Sequence, residues 1–353
     1  MLSYQVEQFG RPLAQVLRDT PQPAGTEVLL KVSACGVCHS DVHLHDGYFS
    51  MGGDQRLDMS RSLNPPRTLG HEIAGTVVAF GPEAQALAGG LKIGDRCVAY
   101  PWIGCGNCSI CRRGDEHLCN RGQALGVNRD GGFADHVLVP HPRYLADPGG
   151  LADEQACTYA CAGLTAYGAL KKVGRLDAED ALLIIGAGGV GLSGVRLAER
   201  LCGVAPIVAE VDAAKWDIAR AAGAREAIDP SAEGAGKALI KATGGGVAAV
   251  VDFVGSSASF AFGHAALRKG GRQICVGLIG GAATVVPMMI SMKAVSIIGS
   301  YVGSLTEMRE VLALAAAGGL PALPVTTRPL AEASQALDDL RAGRVRGRAV
   351  LRP

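Results

Sequence analysis

The stretch "EDALLIIGAGGVGLSGVRLAERL", residues 179 to 201, constrains the fold more than any other part of the chain. An apolar run of strand length meets Gly186-x-Gly188-Gly189-x-Gly191, and the residues after it carry the apolar spacing of a helix. Glycines at such a strand-to-helix turn let the backbone approach a pyrophosphate, whose charge the helix N-terminus favours. Nineteen residues past Gly191, Glu210 closes a second apolar strand, "APIVAE". A carboxylate there takes ribose hydroxyls and repels a 2′-phosphate, so the expected ligand is NAD rather than NADP. Strand-like "GVAAVVDFVG", "GGRQICVGL" and "KAVSIIGSYV" then alternate with helical "AAKWDIARAAGA", stopped by Gly223, and "SASFAFGHAALRK". Strands separated by helices predict an α/β, doubly wound parallel sheet.

The amino half has another rhythm, short β-like runs broken by many turns, and reads as a mostly-β domain. Two domains also suit 353 residues, more than one core usually serves. With 48% apolar and 19% charged residues the chain is globular, and a net charge of +1 gives no electrostatic reason for a nucleic-acid or membrane partner. The opening "MLSYQVEQFGRP" carries no signal-peptide pattern, and no apolar run is long enough to span a bilayer, so the expected location is the cytoplasm.

Residues 105 to 119, "CGNCSICRRGDEHLC", hold four of eleven cysteines. Without an export signal, that density points to metal rather than disulfides. The spacing Cys105-x2-Cys108-x2-Cys111-x7-Cys119 offers zinc four thiolates from one winding loop. A thioredoxin-like pair needs only two cysteines in a βαβ setting, and the bacterial iron–sulfur run ends with a shorter gap and a proline. Four ligands fill the shell, so the site reads as structural, with His117 as an exposed loop residue.

A second metal pattern is open. "ACGVCHSDVHLHDGY" and "TLGHEIAG" supply Cys38 and His71, with Glu72 beside the histidine and His39, Ser40, Asp41 and His43 crowded round the cysteine. "CTYACAGLTAYGAL" adds Cys157 and Cys161. A Cys/His/Cys trio with a free fourth position suits catalytic zinc. Spacing leaves Cys157, Cys161 and Cys35 all open as the third ligand.

With these residues in hand, the chain resembles the zinc-dependent medium-chain alcohol dehydrogenases along essentially its whole length, through "CGVCHSD", "GHEIAG", the four-cysteine lobe, "CAGLTAYGAL", "GAGGVG" and the terminal "GRAVL". The resemblance implies a mostly-β, GroES-like catalytic domain of residues 1–154 and 297–353 and a Rossmann NAD-binding domain of residues 155–296. It implies two zinc ions per chain, a catalytic one on Cys38, His71 and Cys161 and a structural one on Cys105, Cys108, Cys111 and Cys119. Glu72 is then an acid that approaches the metal, Asp41 orients the ligand histidine, and Ser40 and His43 relay a proton. His39, Thr165, Gly186, Gly188, Gly189, Val190, Gly191, Glu210, Lys215, Val276 and Arg348 fall at cofactor-contacting positions, with Arg348 on the pyrophosphate. The implied reaction is reversible hydride transfer between NAD and a primary, secondary or cyclic alcohol, giving aldehyde or ketone.

A polyol, sugar-alcohol or hydroxyacyl-thioester dehydrogenase on the same fold is the enzymatic alternative. A zinc protein that senses NAD redox state without turnover is the rival from another class, and the complete ligand set argues against it. Members of the family form dimers or tetramers, and "KAVSIIGSYV" offers a candidate pairing edge. The segment "YFSMGGDQRLDMSRSLNPPR", residues 48 to 67, exceeds the family's usual connection, leaving a cleft wall and a surface insertion both open. Trp102 aligns with a pocket aromatic only across a short gap. Cys35, Cys97, Cys157, Cys202 and Cys275 read as core packing.

Overall fold

A computed structural model describes all 353 residues. Six parallel strands lie in the spatial order Glu226–Ile228, Ile207–Ala209, Leu182–Ile185, Val247–Asp252, Leu267–Cys275, Ser296–Gly299. The central strands, Leu182–Ile185 and Val247–Asp252, are buried at every position, as strands covered by helices on both faces must be. The chain order is that of a doubly wound nucleotide-binding sheet, whose ligands sit at the carboxyl ends of the strands where the order reverses. Gly186, Glu210 and Val276 all follow such ends directly. The expected domain boundary needs moving here. Ser296–Gly299 pairs with Leu267–Cys275 through Arg272↔Ser296 to Cys275↔Gly299, so a cut at 297 divides a strand of this sheet. A four-residue edge strand, exposed along most of its length, carries too little pattern to mark its own end.

The second sheet is drawn from both ends of the chain. Its order is Leu145–Ala146, Arg96–Ala99, Glu72–Phe80, Val28–Gly36, Arg348–Arg352, Val325–Pro329, with His136–Val139 also on Val28–Gly36. Every pair is antiparallel except Arg348–Arg352 with Val325–Pro329. Gly36 sits opposite Glu72 on one side and Val350 on the other. A methyl group there would fall 1.9 Å from Glu72 Oε2, so glycine is what lets the Glu72 side chain cross towards the carboxyl-terminal strand. The helix Ala162–Val173 joins the two halves. Leu164 and Leu170 on it belong to one apolar cluster that also contains Ile73 of the mixed sheet and Leu182 of the parallel one. No helix is long and apolar enough to cross a membrane.

Candidate catalytic metal centre and dinucleotide site

The strand Val28–Gly36 runs into Cys38, the N-cap of the helix His39–Asp46. Asp41, third in that helix, reaches back to accept the Cys38 N–H at 2.8 Å, half of a capping box. Its other oxygen accepts the Gly70 N–H at 3.3 Å and meets His71 Nδ1 at 3.2 Å. One fully buried carboxylate thus orients two residues distant in sequence and keeps Nδ1 of His71 protonated, presenting Nε2 outward. Cys161 caps the helix Ala162–Val173. The donor atoms of Cys38, His71 and Cys161 lie within 4.8 Å of one another, all buried. Of the three cysteines open as a third donor, only Cys161 joins this group. Cys157 Sγ turns to the Glu154 carbonyl at 3.5 Å and Cys35 Sγ to that of Gly36 at 3.7 Å. A hydrogen bond from Cys161 draws the Cys38 thiol well below its usual range, with Arg348 and His71 adding. Two sulfurs and an imidazole, buried and already gathered, fit zinc with a fourth position free.

Around that centre stand a hydroxyl, a histidine and three rings. Ser40 Oγ lies 3.5 Å from His71 Nε2. His43, one turn along the same helix, has a buried Nε2 without a partner. Burial lowers its pKa, against the opposing pull of Asp46 and Cys38. Trp102 packs on His71 at 5.4 Å between centroids, meets Tyr301 edge-on at 5.7 Å, and donates its indole N–H to the Ala160 carbonyl at 3.2 Å. Phe49 lies 4.8 Å from His43. The Tyr301 phenol is pushed up to about 12 by burial, Cys161 adding, although 49% of the residue still meets solvent. Sequence reading reached neither Tyr301 nor Phe49; only the unusual length of 48–67 pointed near the latter.

Glu72 and Arg348 hold each other. Arg348 Nε donates to Oε2 at 2.8 Å and Nη2 to Oε1, while the Ala162 N–H donates to Oε1 at 2.9 Å. Burial pushes the Glu72 carboxyl up and Arg348 draws it back. The arginine also passes under the dinucleotide turn, where a methyl on Gly189 would come 3.0 Å from its Cδ and Nη1. One side chain therefore links the acid beside the metal centre to the glycine loop.

That loop has the backbone it needs. Gly186 has φ 95°, in the left-handed region, and a methyl on Gly191 would strike the Gly186 carbonyl oxygen at 1.9 Å. Gly188 caps the helix Gly189–Cys202, and nothing lies within 4 Å of where its Cβ would be. This is an open cradle at a helix N-terminus. Glu210 is fixed by the N–H groups of Ala187 and Asp212 at 2.8 and 3.0 Å, and Lys215 Nζ stands 3.9 Å from it and 3.7 Å from Asp212. Thr165 is buried with no partner for Oγ1, an orphan that a bound amide or hydroxyl would satisfy. Val190 and Val276 are half-buried at the helix start and the sheet edge, and His39 is exposed at the head of its helix. The cradle, the anchored acid and the orphaned hydroxyl fit a dinucleotide.

The four-cysteine lobe gathers as its spacing predicts. All four sulfurs lie within 4.8 Å of one another, and the N–H groups of Cys105, Cys111 and Arg121 each point at a sulfur at 3.4 Å. Amide groups of Asn107 and Cys108 bring the Cys105 thiol down to about 6. Every cysteine in the chain is free of disulfide. Glu116 anchors the lobe by accepting from the Tyr144 hydroxyl at 2.6 Å, Arg143 at 3.0 Å and the Gly104 N–H at 3.3 Å. That inward anchor carries His117 with it. His117 is half-buried, with Nδ1 shielded and unpaired, rather than exposed. Cys275 also departs from expectation, half-buried at the open carboxyl end of its strand and not in the core. Glu116→Ala is expected to cost about 1–3 kcal/mol by stranding Tyr144 and Arg143. A Tm lower by roughly 2–10 °C would register this, with substrate KM unmoved; an unchanged Tm would show the lobe anchored elsewhere.

A buried metal-ligand cluster joined to a dinucleotide cradle through the Glu72–Arg348 pair defines a metal-assisted oxidoreductase. Residues 24–148 match the alcohol dehydrogenase GroES-like domain and residues 189–317 the zinc-binding dehydrogenase domain. NAD-dependent alcohol dehydrogenases of Sulfurisphaera tokodaii and Saccharolobus solfataricus are each 36% identical to this chain, with all of both chains covered. The crystal structure of the alcohol dehydrogenase of Aeropyrum pernix has the same fold, with TM-score 0.89, 31% identity and full coverage of both chains. The chain belongs to the zinc-dependent medium-chain alcohol dehydrogenase family, an enzyme family that uses NAD and zinc.

Proposed function

We propose that this chain is an NAD-dependent alcohol dehydrogenase carrying two zinc ions, a catalytic one on Cys38, His71 and Cys161 and a structural one on Cys105, Cys108, Cys111 and Cys119. The observation that carries the reading is the buried three-donor cluster, braced by Asp41 and set beside the glycine cradle. When bound, zinc supplies a Lewis acid with one open position and NAD the hydride acceptor.

The chain's own residues position and deprotonate the substrate. Asp41 holds His71 in the tautomer that presents Nε2. Ser40 Oγ, 3.5 Å from that nitrogen, accepts the alcohol's hydroxyl proton as it gives up its own, and the proton passed outward is held at the free Nε2 of His43, three residues along the same helix. The depressed pKa of His43 leaves it neutral at pH 7 and ready to accept. Lowering the pH through that pKa protonates it, so oxidation slows on the acid side while carbonyl reduction draws on the protonated form. Phe49, Trp102 and Tyr301 wall the cleft with rings. This favours apolar primary, secondary or cyclic alcohols over polyols and charged thioesters, whose polar groups would lie unpaired against them.

Glu210, its carboxylate anchored by two N–H groups, supports NAD over NADP. Exposed Met288, Met292 and Ile297 beside the open edge of Ser296–Gly299 support a homodimer or homotetramer built through that edge. Eleven cysteines with no disulfide among them support a reducing, cytoplasmic location. NADH appearance across short, branched, cyclic and aromatic alcohols tests the reading, with NADP run in parallel. Glu210→Ala is expected to raise KM for NAD by about tenfold and narrow the NAD-to-NADP preference, because the ribose hydroxyls lose their acceptor. No turnover of any alcohol by zinc-loaded protein would refute the assignment.

A further inference from the structure

The helix Gly189–Cys202 touches the carboxyl-terminal part of the chain at two points, two turns apart. At its head, a methyl on Gly189 would come 3.0 Å from Arg348 Cδ and 3.1 Å from the Gly347 carbonyl oxygen. Seven residues on, Arg196 lies on the same helix face, about 10 Å along the axis. Its Nε donates to the Pro321 carbonyl and its Nη2 to the Tyr159 hydroxyl at 3.2 Å. Only 8% of the residue is exposed, so a desolvated guanidinium rests on two neutral oxygens. Buried arginine ordinarily has a carboxylate, and the chain's other buried arginine, Arg348, has Glu72. A leucine or methionine would fill the same helix position without burying a charge. A residue that breaks the burial rule in this way marks a task at that place.

The task lies in the segment that Pro321 begins. Residues 321 to 324, Pro-Ala-Leu-Pro, carry a proline at each end, and proline fixes φ and offers no N–H. The segment presents carbonyls, and three separate elements take them. Pro321 receives Arg196, and Leu323 receives Gln155 Nε2 at 2.9 Å from the helix Asp153–Ala156. Pro324 receives the Arg348 N–H at 2.9 Å. Gly347, with φ 76°, packs on that last carbonyl and leaves no room there for a Cβ. A short, stiff length of chain thus runs from Arg196 to the backbone of Arg348, whose side chain returns beneath Gly189. The circuit closes on the helix where it began.

We propose that Arg196 is a positioning residue for dinucleotide binding, holding Pro321–Pro324 against the cofactor helix so that Arg348 stays beneath the glycine turn. The proposal rests on the NAD reading above. Arg196 stands two turns behind the cradle and acts through Arg348. Its charge is kept because a guanidinium can reach the Pro321 carbonyl and the Tyr159 hydroxyl together, which no apolar side chain can do.

Arg196→Met and Arg196→Lys test it by NAD titration, with thermal unfolding of the NAD-free protein beside it. Trp216, whose indole N–H donates to the Glu210 carbonyl at 2.8 Å, gives the fluorescence signal. Arg196→Met is expected to weaken NAD binding about fivefold, part of the loss expected for Arg348 itself. Its Tm is expected to fall by less than about 3 °C, because removing a buried charge offsets the two acceptors left unpaired. Lysine keeps the charge and a donor for Pro321, and is expected to return NAD affinity to within about twofold. In the Arg348→Met, Glu72→Leu double variant the arginine beneath the turn is already gone, so Arg196→Met is expected to add less than about twofold. A loss of about fivefold in both backgrounds overturns the route through Arg348. NAD affinity unchanged within about twofold in Arg196→Met overturns the positioning role. A Tm fall of about 10 °C that lysine does not relieve marks Arg196 as support for the fold alone, and overturns it as well. Absence of NAD binding by the unaltered protein overturns the NAD reading and the proposal with it, so the two failures are told apart.

Discussion

Cys38→Ser is expected to lower turnover by at least about a thousandfold and to remove one of the two proposed zinc ions while the chain stays folded. The substitution separates the two tasks of this residue. As the N-cap of the helix His39–Asp46, position 38 accepts serine readily, because serine is among the preferred caps. The Asp41 bond to its N–H does not depend on the side chain. As a ligand, a serine hydroxyl stays protonated where a thiol lowered by Cys161, Arg348 and His71 gives a thiolate. Only His71 and Cys161 then remain, too few to hold zinc with an open position. Three measurements on one preparation decide the matter: zinc per chain, NAD affinity from tryptophan fluorescence, and steady-state turnover. The expected set is one zinc, NAD affinity within about threefold, which leaves the cradle intact, and no turnover. Full activity with one zinc per chain would mean that catalysis does not run through this cluster.

What was legible in the sequence was whatever short spacing encodes. The four cysteines of 105–119 and the glycines of 186–191 bring their own geometry, because each group is gathered by one turn of chain. The third metal donor was not legible. Cys157 and Cys161 both precede the same helix, and only the fold decides that Cys161 faces His71 while Cys157 faces Glu154. Here resemblance to a family named the residue that spacing left open. Contacts between distant segments left no trace at all. Trp102 and Tyr301 touch across 199 positions and Glu72 and Arg348 across 276. Nothing in a single chain registers such partners. The alternation of strands and helices put the strand Ser296–Gly299 in the parallel sheet, but it lies at a sheet edge with no buried residue, so where it ends rests on pairing rather than pattern.

The Glu72–Arg348 contact carries the second large effect, on stability. Arg348→Met removes the charge that faces a carboxylate with no solvent exposure, leaving it only the Ala162 N–H. Breaking one side of such a pair costs about 3–5 kcal/mol, a Tm drop on the order of 10 °C. The sign of its pH dependence follows from burial, which already pushes the Glu72 carboxyl up and is opposed by Arg348. Without the arginine the folded pKa rises further above the unfolded value, and the folded state binds the extra proton. The deficit is therefore smallest in acid and grows as the pH rises towards neutrality. Arg348→Met combined with Glu72→Leu replaces both charges with apolar groups of similar size, and is expected to regain most of the lost stability. It is not expected to regain function. The arginine that runs under Gly189 is still missing, so NAD affinity should stay about tenfold weaker in both variants, as loss of one charged hydrogen bond implies. Thermal unfolding of the single and double variants at pH 5.5 and 8, with NAD titrations beside it, separates these contributions. A double variant as unstable as the single one would mean that the pair does not act as a unit.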